Sequence, residues 1–140
     1  MLQGVNYARY VAPAAATLMG AEFGGEQFAI VDNYTFASAA AGSVVFVGVL
    51  MPGEVYLGGV ITAAALGAGV TVAMGYAGQT AAFLAATAMN TANLVTFAQG
   101  AGPNGMGFKN TTNAPIPIFL TTAGGTATGR VDVFLSLARN

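Results

Sequence analysis

The feature that most constrains this chain is a long stretch that carries no charge. Residues 55–108 contain no Asp, Glu, Lys or Arg. Within this stretch lies LGGVITAAALGAGVTVAMGY, residues 57–76, which is about as long as the ~20 apolar residues of a membrane-spanning helix. Such a stretch is either surrounded by lipid or buried against other protein. The spacing of its apolar residues distinguishes a membrane helix from buried strands.

The residue pattern of this stretch favours strands over a membrane helix. From position 69 onwards, larger apolar side chains alternate with small ones. The residues on the apolar face are Val70, Val72, Met74 and Tyr76. A period of two is typical of a strand with one buried face. Paired glycines around AAALGAG indicate turns, and no Lys or Arg lies between Arg9 and Lys109 to orient a membrane helix. We therefore predict two strands, divided at residues 63–69.

The composition removes most sites of chemistry. The chain has 140 residues and contains no Cys, no His and no Trp, so it lacks thiolate ligands and the commonest general base. Its acidic residues are Glu22, Glu26, Asp32, Glu54 and Asp132. No pattern brings two of them together, and Asp32-Asn33 is more typical of a turn or strand end than of a Ca²⁺ site. We expect no catalytic residue, no cofactor and no metal, and therefore a protein that is not an enzyme.

The scarcity of charge also restricts the partners. Charged residues make up 6% of the chain, against about 25% in typical soluble domains. The basic residues Arg9, Lys109, Arg130 and Arg139 are scattered, unlike the basic cluster that binds nucleic acid. A net charge of -1 does little to keep a free monomer soluble. We expect no direct nucleic-acid partner and a surface largely covered by neighbouring subunits.

The remaining pattern predicts an all-β chain, a β-sandwich or jelly roll of short antiparallel strands with at most one short helix. VVFVGVL is a continuous apolar run that predicts a strand buried on both faces, and Pro52-Gly53 after it predicts a tight turn. QTAAFLAATAMN, which is residues 79–90, contains good helix formers and predicts a short helix or a turn. Predicted strands cover residues 27–36, 44–50, 55–62, 69–76 and 94–97, with connections at residues 37–42 and 99–113.

The C-terminal segment shows the clearest alternation. APIPIFLTT and RVDVFLSL each place apolar side chains on one face, and AGGTATG lies between them. This pattern predicts a β-hairpin. Pro115 and Pro117 cannot donate to a ladder, so the first strand is predicted to lie at a sheet edge or to turn its proline side outwards.

The first 26 residues differ from the rest of the chain. They contain APAAA and a Gly-Gly pair and show no helical apolar stripe, yet they are too apolar for a plain solvated tail. We predict an extended N-terminal arm over residues 1–26, which orders against a partner, and a single β-sandwich domain over residues 27–140. The predicted interface residues are Tyr7, Arg9, Tyr10, Leu18 and Phe23.

Two segments resemble a recurring pattern in small structural proteins of tailed bacteriophages, which include capsid decoration, or cement, proteins. They are VVFVGVLMPGEVYLGGVITAAALGAGVTVAMGYAG and APIPIFLTTAGGTATGRVDVFLSL. The resemblance covers roughly residues 27–137 and consists of turns and strand patterns. It implies a β-sandwich or jelly roll that binds the outer surface of an icosahedral head. The implied partners are the major capsid protein and copies of the chain itself, as trimers or dimers. The implied location is the virion, assembled in the host cytoplasm.

Other interpretations stay open at this level. A head fibre, spike or tail component is an assembly protein of the same kind, and its position on the particle distinguishes it. A small membrane protein of the holin type would be helical. An enzyme or carbohydrate-binding module would be stabilised by its ligand.

Overall fold

The described part of the chain folds into eight antiparallel β-strands arranged in two sheets. The computed structural model describes residues 26–96 and 107–139, and these residues include no helix. The strands are β1 (Glu26–Ala39), β2 (Val44–Leu50), β3 (Glu54–Ala63), β4 (Thr71–Tyr76), β5 (Gln79–Ala88), β6 (Asn93–Thr96), β7 (Ile116–Ala123) and β8 (Ala127–Arg139). The prediction of an all-β fold is confirmed.

The strands pair as one long antiparallel ribbon folded in half. β1 pairs with β8, β2 with β7, β3 with β6 and β4 with β5. Two further pairings, β3 with β8 and β4 with β7, roll this ribbon into two sheets. The first sheet has the order β1-β8-β3-β6, and the second sheet has the order β2-β7-β4-β5. Eight strands joined in this way form a jelly roll.

The uncharged stretch contributes to both sheets. Residues 57–76 contain most of β3, all of β4 and the connection at residues 64–70, as the periodicity predicts. Val70, Val72 and Met74 are fully buried, whereas Thr71 and Ala73 between them are half-buried. The apolar face of this strand therefore lies in the protein core. No helix in the described part of the chain is long and apolar enough to cross a membrane.

The core lies between the inner faces of the two sheets. In β8, alternate residues are buried while those between them lie on the outer face. The largest fully buried side chains are Tyr56, Phe36, Phe83, Leu50, Ile61, Leu66, Met74, Met89, Ile118, Leu120 and Leu135. Burying one such side chain contributes about 1.5–3 kcal/mol to folding.

The prediction of a short helix at residues 79–90 is wrong, because most of this segment is strand β5. Pairing with β4 overrides the helix preference of its alanines. The register shifts twice along this pair, and Ala82, Phe83 and Leu84 are buried in succession. A bulged strand loses the simple alternation by which strands are recognised.

The prediction of a C-terminal β-hairpin is also wrong, because β7 and β8 lie in different sheets. β7 pairs with β2 and β4, whereas β8 pairs with β1 and β3. The connection between them, residues 124–126, crosses from one sheet to the other. A glycine-rich link between two alternating strands resembles a hairpin turn in sequence but does not determine whether the strands become neighbours.

The proline-containing strand is not an edge strand, although part of it has a neighbour on only one side. β7 lies between β2 and β4, so the edge prediction is wrong for the strand as a whole. Pro117 is the register partner of Val49 on β2, but the pairing with β4 covers only Phe119 to Ala123. The prolines therefore precede the segment that needs donors on both sides.

Two further predictions about strands are corrected. Asp32 and Asn33 lie inside β1, not in a turn or at a strand end, and the Asp32 carboxylate accepts a hydrogen bond from the Asn33 N–H at 2.8 Å. β2 is not buried on both faces in the single chain, because Val44 is 58% and Phe46 54% exposed. Although the sequence of β2 is apolar throughout, one of its faces lies in the core and the other is exposed to solvent.

Two glycine-rich connections pack backbone against backbone at one end of the sandwich. Residues 67–69 lie in the connection from β3 to β4, and residues 124–126 connect β7 to β8. A Cβ atom at Gly125 would lie 2.6 Å from the Ala68 carbonyl oxygen, and one at Gly124 would contact the Gly69 carbonyl oxygen. Gly124 and Gly69 also adopt positive φ angles of 81° and 72°. At positions 124 and 125, only glycine fits without displacing the backbone of the opposite connection.

We predict that Gly124→Ala destabilises the fold more than Gly78→Ala. Both glycines have positive φ, 81° and 87°, so both variants carry the same backbone strain. A Cβ at Gly78 meets no atom within 4 Å, whereas one at Gly124 meets the Gly69 backbone. The steric contact should cost roughly 1–3 kcal/mol more, measured by denaturant unfolding. Equal destabilisation by the two variants would contradict the close backbone packing.

Candidate interaction surfaces

The five predicted interface residues, Tyr7, Arg9, Tyr10, Leu18 and Phe23, lie outside the described residues. The structure does give the place where residues 1–25 join the domain. β1 begins at Glu26, which pairs with Arg139 at the end of β8. The same Arg139 pairs with Glu54 at the start of β3. The N-terminal segment therefore joins the sandwich beside a cluster of polar side chains.

Glu54 is the centre of this polar cluster. Its side chain follows the Pro52-Gly53 turn and is only 2% exposed. One carboxylate oxygen accepts a hydrogen bond from the Arg139 guanidinium at 2.7 Å, and the other accepts one from the Met51 N–H at 2.8 Å. The hydrogen bond and the charge of Glu54 raise the pKa of Arg139. A buried carboxylate with both oxygens bound is stable only while these partners remain in place.

Asn110 binds the segment before β7 to the polar cluster around Glu54. Its buried side-chain amide donates to the carbonyl oxygens of Leu50 and Ala114 at 2.8 and 2.9 Å, while its oxygen accepts from Thr112. Its backbone N–H donates to the Glu54 carbonyl at 2.9 Å. Residues 107–110 therefore run beside the first half of β3, beyond the half that pairs with β6.

A group of aromatic rings packs next to this cluster. Phe83 lies 4.4 Å from Tyr56 and 5.6 Å from Phe108, measured between ring centroids, and Tyr76 stacks on Phe108 at 5.7 Å. Burial raises the pKa of Tyr56. Aromatic pairs of this geometry add stability beyond their buried area. These ring contacts hold Phe108, and with it residues 107–110, against both sheets.

Sequence reasoning missed Glu54 and Asn110 as structural residues. Their partners are distant in sequence, since Arg139 lies 85 residues from Glu54 and Leu50 lies 60 residues from Asn110. One signal was available in the sequence. Glu54 is the last charged residue before the uncharged stretch begins, and a lone charge among so many apolar residues needs a partner when it is buried.

The charged residues of the described chain are divided unequally between the sheets. The second sheet, made of β2, β4, β5 and β7, contains none. The charged residues all lie on the first sheet or on the segment before β7, and they are Glu26, Asp32, Glu54, Lys109, Arg130, Asp132 and Arg139. On the outer face of β8, Arg130 and Asp132 form an exposed ion pair at 2.6 Å.

Large apolar side chains are exposed on both outer faces. On the second sheet these are Val44 and Phe46, with the Phe46 ring 6.1 Å from that of Phe119. On the first sheet they are Val31, Leu94 and Phe134. Val31 and Phe134 are register partners. Scattered exposed apolar side chains are ordinary, but contiguous ones often mark a contact surface.

The described residues contain no group of three or more acidic side chains arranged to hold a metal ion. The polar groups around Glu54 support structure, since the bond from Arg139 to Glu54 and the bond from Asn110 to Leu50 join distant segments of the fold. The exposed apolar side chains on the outer faces are candidate contact surfaces.

The fold defines the chain as a jelly-roll β-sandwich, and two solved structures have the same architecture. The chain is similar to one in the cyanophage Pam1 capsid asymmetric unit, with a TM-score of 0.67 and 19% sequence identity, covering 94% of this chain and 96% of the other. It is also similar to a chain in the capsid of Ralstonia phage GP4, with a TM-score of 0.62 and 17% identity, covering 83% and 86%. At these identities the likeness establishes the fold. No family profile and no curated protein sequence matches the chain.

We predict that Glu54→Ala lowers stability while Asp132→Ala does not. Both carboxylates bind an arginine, at 2.7 and 2.6 Å, but the Glu54 side chain is 2% exposed and that of Asp132 is 46% exposed. Removing Glu54 leaves the partly buried Met51 N–H without its acceptor, at a cost of about 1–3 kcal/mol. The exposed pair is screened by water and contributes little.

Thermal unfolding followed by circular dichroism measures this difference. Glu54→Ala should lower the midpoint by several degrees, and Asp132→Ala should leave it almost unchanged. A Glu54→Ala protein as stable as the wild type would show that the cluster does not hold the fold together.

Proposed function

We propose that this chain is a virion structural protein that decorates the outer surface of an icosahedral phage head and stabilises it through contacts between subunits. The observation that carries the proposal is the jelly roll, which is shared along 94% of the chain with a chain from the cyanophage Pam1 capsid. The second similar chain also comes from a phage capsid. The fold by itself does not determine function, so the surface properties of this chain provide the second line of support.

Those properties suit a protein that works while covered by neighbours. The second sheet has no charged residue, and its outer face exposes Val44 and Phe46. An apolar, uncharged surface is costly to leave in water and is stabilised when another protein covers it. Because a shell repeats the same site many times, modest contacts at each site add up when the bound copies are linked.

The proposed partners are the major capsid protein and further copies of this chain, in a dimer or trimer. The arm was predicted over residues 1–26, but Glu26 is the first residue of β1. We propose that residues 1–25 act as an extended arm that binds a neighbouring subunit, with the predicted interface residues Tyr7, Arg9, Tyr10, Leu18 and Phe23. The arm joins the domain at Glu26, beside the end of β8. A segment that becomes ordered on binding adds buried area at an entropic cost.

We predict that deleting residues 1–25 weakens attachment to the shell and leaves the domain folded. The deletion stops before Glu26, so every described strand pairing is kept. Co-sedimentation with empty heads of the phage that encodes the chain should show at least a tenfold loss of affinity, which corresponds to about 1.4 kcal/mol. The full chain with Tyr7→Ala and Tyr10→Ala should lose part of the same affinity.

The outcomes separate the arm from the function. Equal binding by the truncated and full chains would overturn the proposal that residues 1–25 bind a neighbouring subunit. Failure of the full chain to bind heads would overturn the proposed decoration role. Electron microscopy of labelled particles then tests the alternative of a fibre, spike or tail component, which would place the label away from the head surface.

A further inference from the structure

The outer face of the second sheet is uncharged, and its central part on β2, β7 and β4 is largely apolar. Phe46 on β2 is the register partner of Phe119 on β7, and Phe119 is the partner of Gly75 on β4. In the next row, Val44 is paired with Thr121, and Thr121 with Ala73. Two rows across three strands therefore contain only Phe, Val, Thr, Ala and Gly, and the one glycine, Gly75, is buried.

The outer face of the first sheet differs in its charge. It also has an exposed aromatic residue, Phe134, which is 44% exposed against 54% for Phe46. Beside Phe134 on the same strand, however, lie Asp132 and Arg130, whose side chains are 46% and 60% exposed. Covering this face would remove water from two charged groups, which costs free energy that an uncharged face does not require.

We propose that the outer face of the second sheet binds the same face of a second copy of this chain. A symmetric pair brings each surface against its own image, so any net charge on the surface would meet the same charge. The second sheet has no charge to repel its copy. It thus satisfies the main electrostatic condition for pairing with itself, and Phe46 supplies an aromatic anchor beside Phe119.

The size of this face limits how much surface two copies can bury. Four strands about 4.8 Å apart and about seven residues long cover roughly 450 Å² of flat area on each copy. Two copies therefore bury about 900 Å² before side-chain relief is counted, close to the lower limit of about 1,000–1,200 Å² for a specific interface. The association is reversible, depends on protein concentration and is reinforced when copies are held side by side.

This inference deepens the self-association named in the proposed function, but it is tested without shells and can fail separately. The full chain is studied by sedimentation velocity over a range of concentrations. The test variants are Phe46→Lys and Val44→Lys, both at exposed positions of β2. The matched control is Phe134→Lys, which introduces the same charge at an aromatic residue of similar exposure on the other sheet.

We expect the wild type to associate as its concentration rises. Each β2 variant should shift the association midpoint at least tenfold towards higher concentration, and Phe134→Lys should leave it within about twofold. Circular dichroism shows which variants are folded. If Phe46→Lys does not fold, the association of Val44→Lys tests the proposal instead. The proposal is overturned if the wild type stays monomeric throughout, if a folded β2 variant associates like the wild type, or if Phe134→Lys weakens association equally.

Discussion

The rest of the structure depends on β8, because its backbone groups are paired on both sides. It pairs with β1 from Ala127 to Arg139 and with β3 from Val131 to Arg139. This double ladder satisfies backbone donors and acceptors on both sides of β8 and directs alternate residues of β8 into the core. Since so many residues are Ala, Gly or Thr, each contributes little apolar area, and continuous backbone pairing has a larger part in deciding which strands are neighbours.

The sequence predicts the class of fold and most strands, but not how the strands connect. Alternation identifies β4 and β8 because each has one face in the core. It fails at β5, where Ala82 to Leu84 are buried in succession at a bulge. It also fails at the link from β7 to β8, where Gly124 lets the chain change sheets. Pairing is decided by contacts between distant segments, and periodicity within one segment does not contain that information.

The candidate surfaces were even less accessible to sequence reasoning. The strands of the two sheets interleave along the chain, so their difference in charge is not visible as a block. The uncharged stretch covers parts of both sheets, including most of β3 and all of β6. Only the folded arrangement places the exposed ion pair of Arg130 and Asp132 on one side and Phe46 on the other. A chain with few charges can thus have one outer face suited to water and another suited to protein contacts.

The pairing of Glu26 with Arg139 has a practical consequence for engineering. These residues are the first and last of the described domain and stand opposite each other in one sheet. A peptide or reporter fused directly before Glu26 or directly after Arg139 would therefore leave the sandwich from the same side. At the other end of the sandwich, the crossing of residues 67–69 with residues 124–126 leaves no room for an insertion. A display scaffold built from this domain would carry cargo on one pole and keep the opposite pole unmodified.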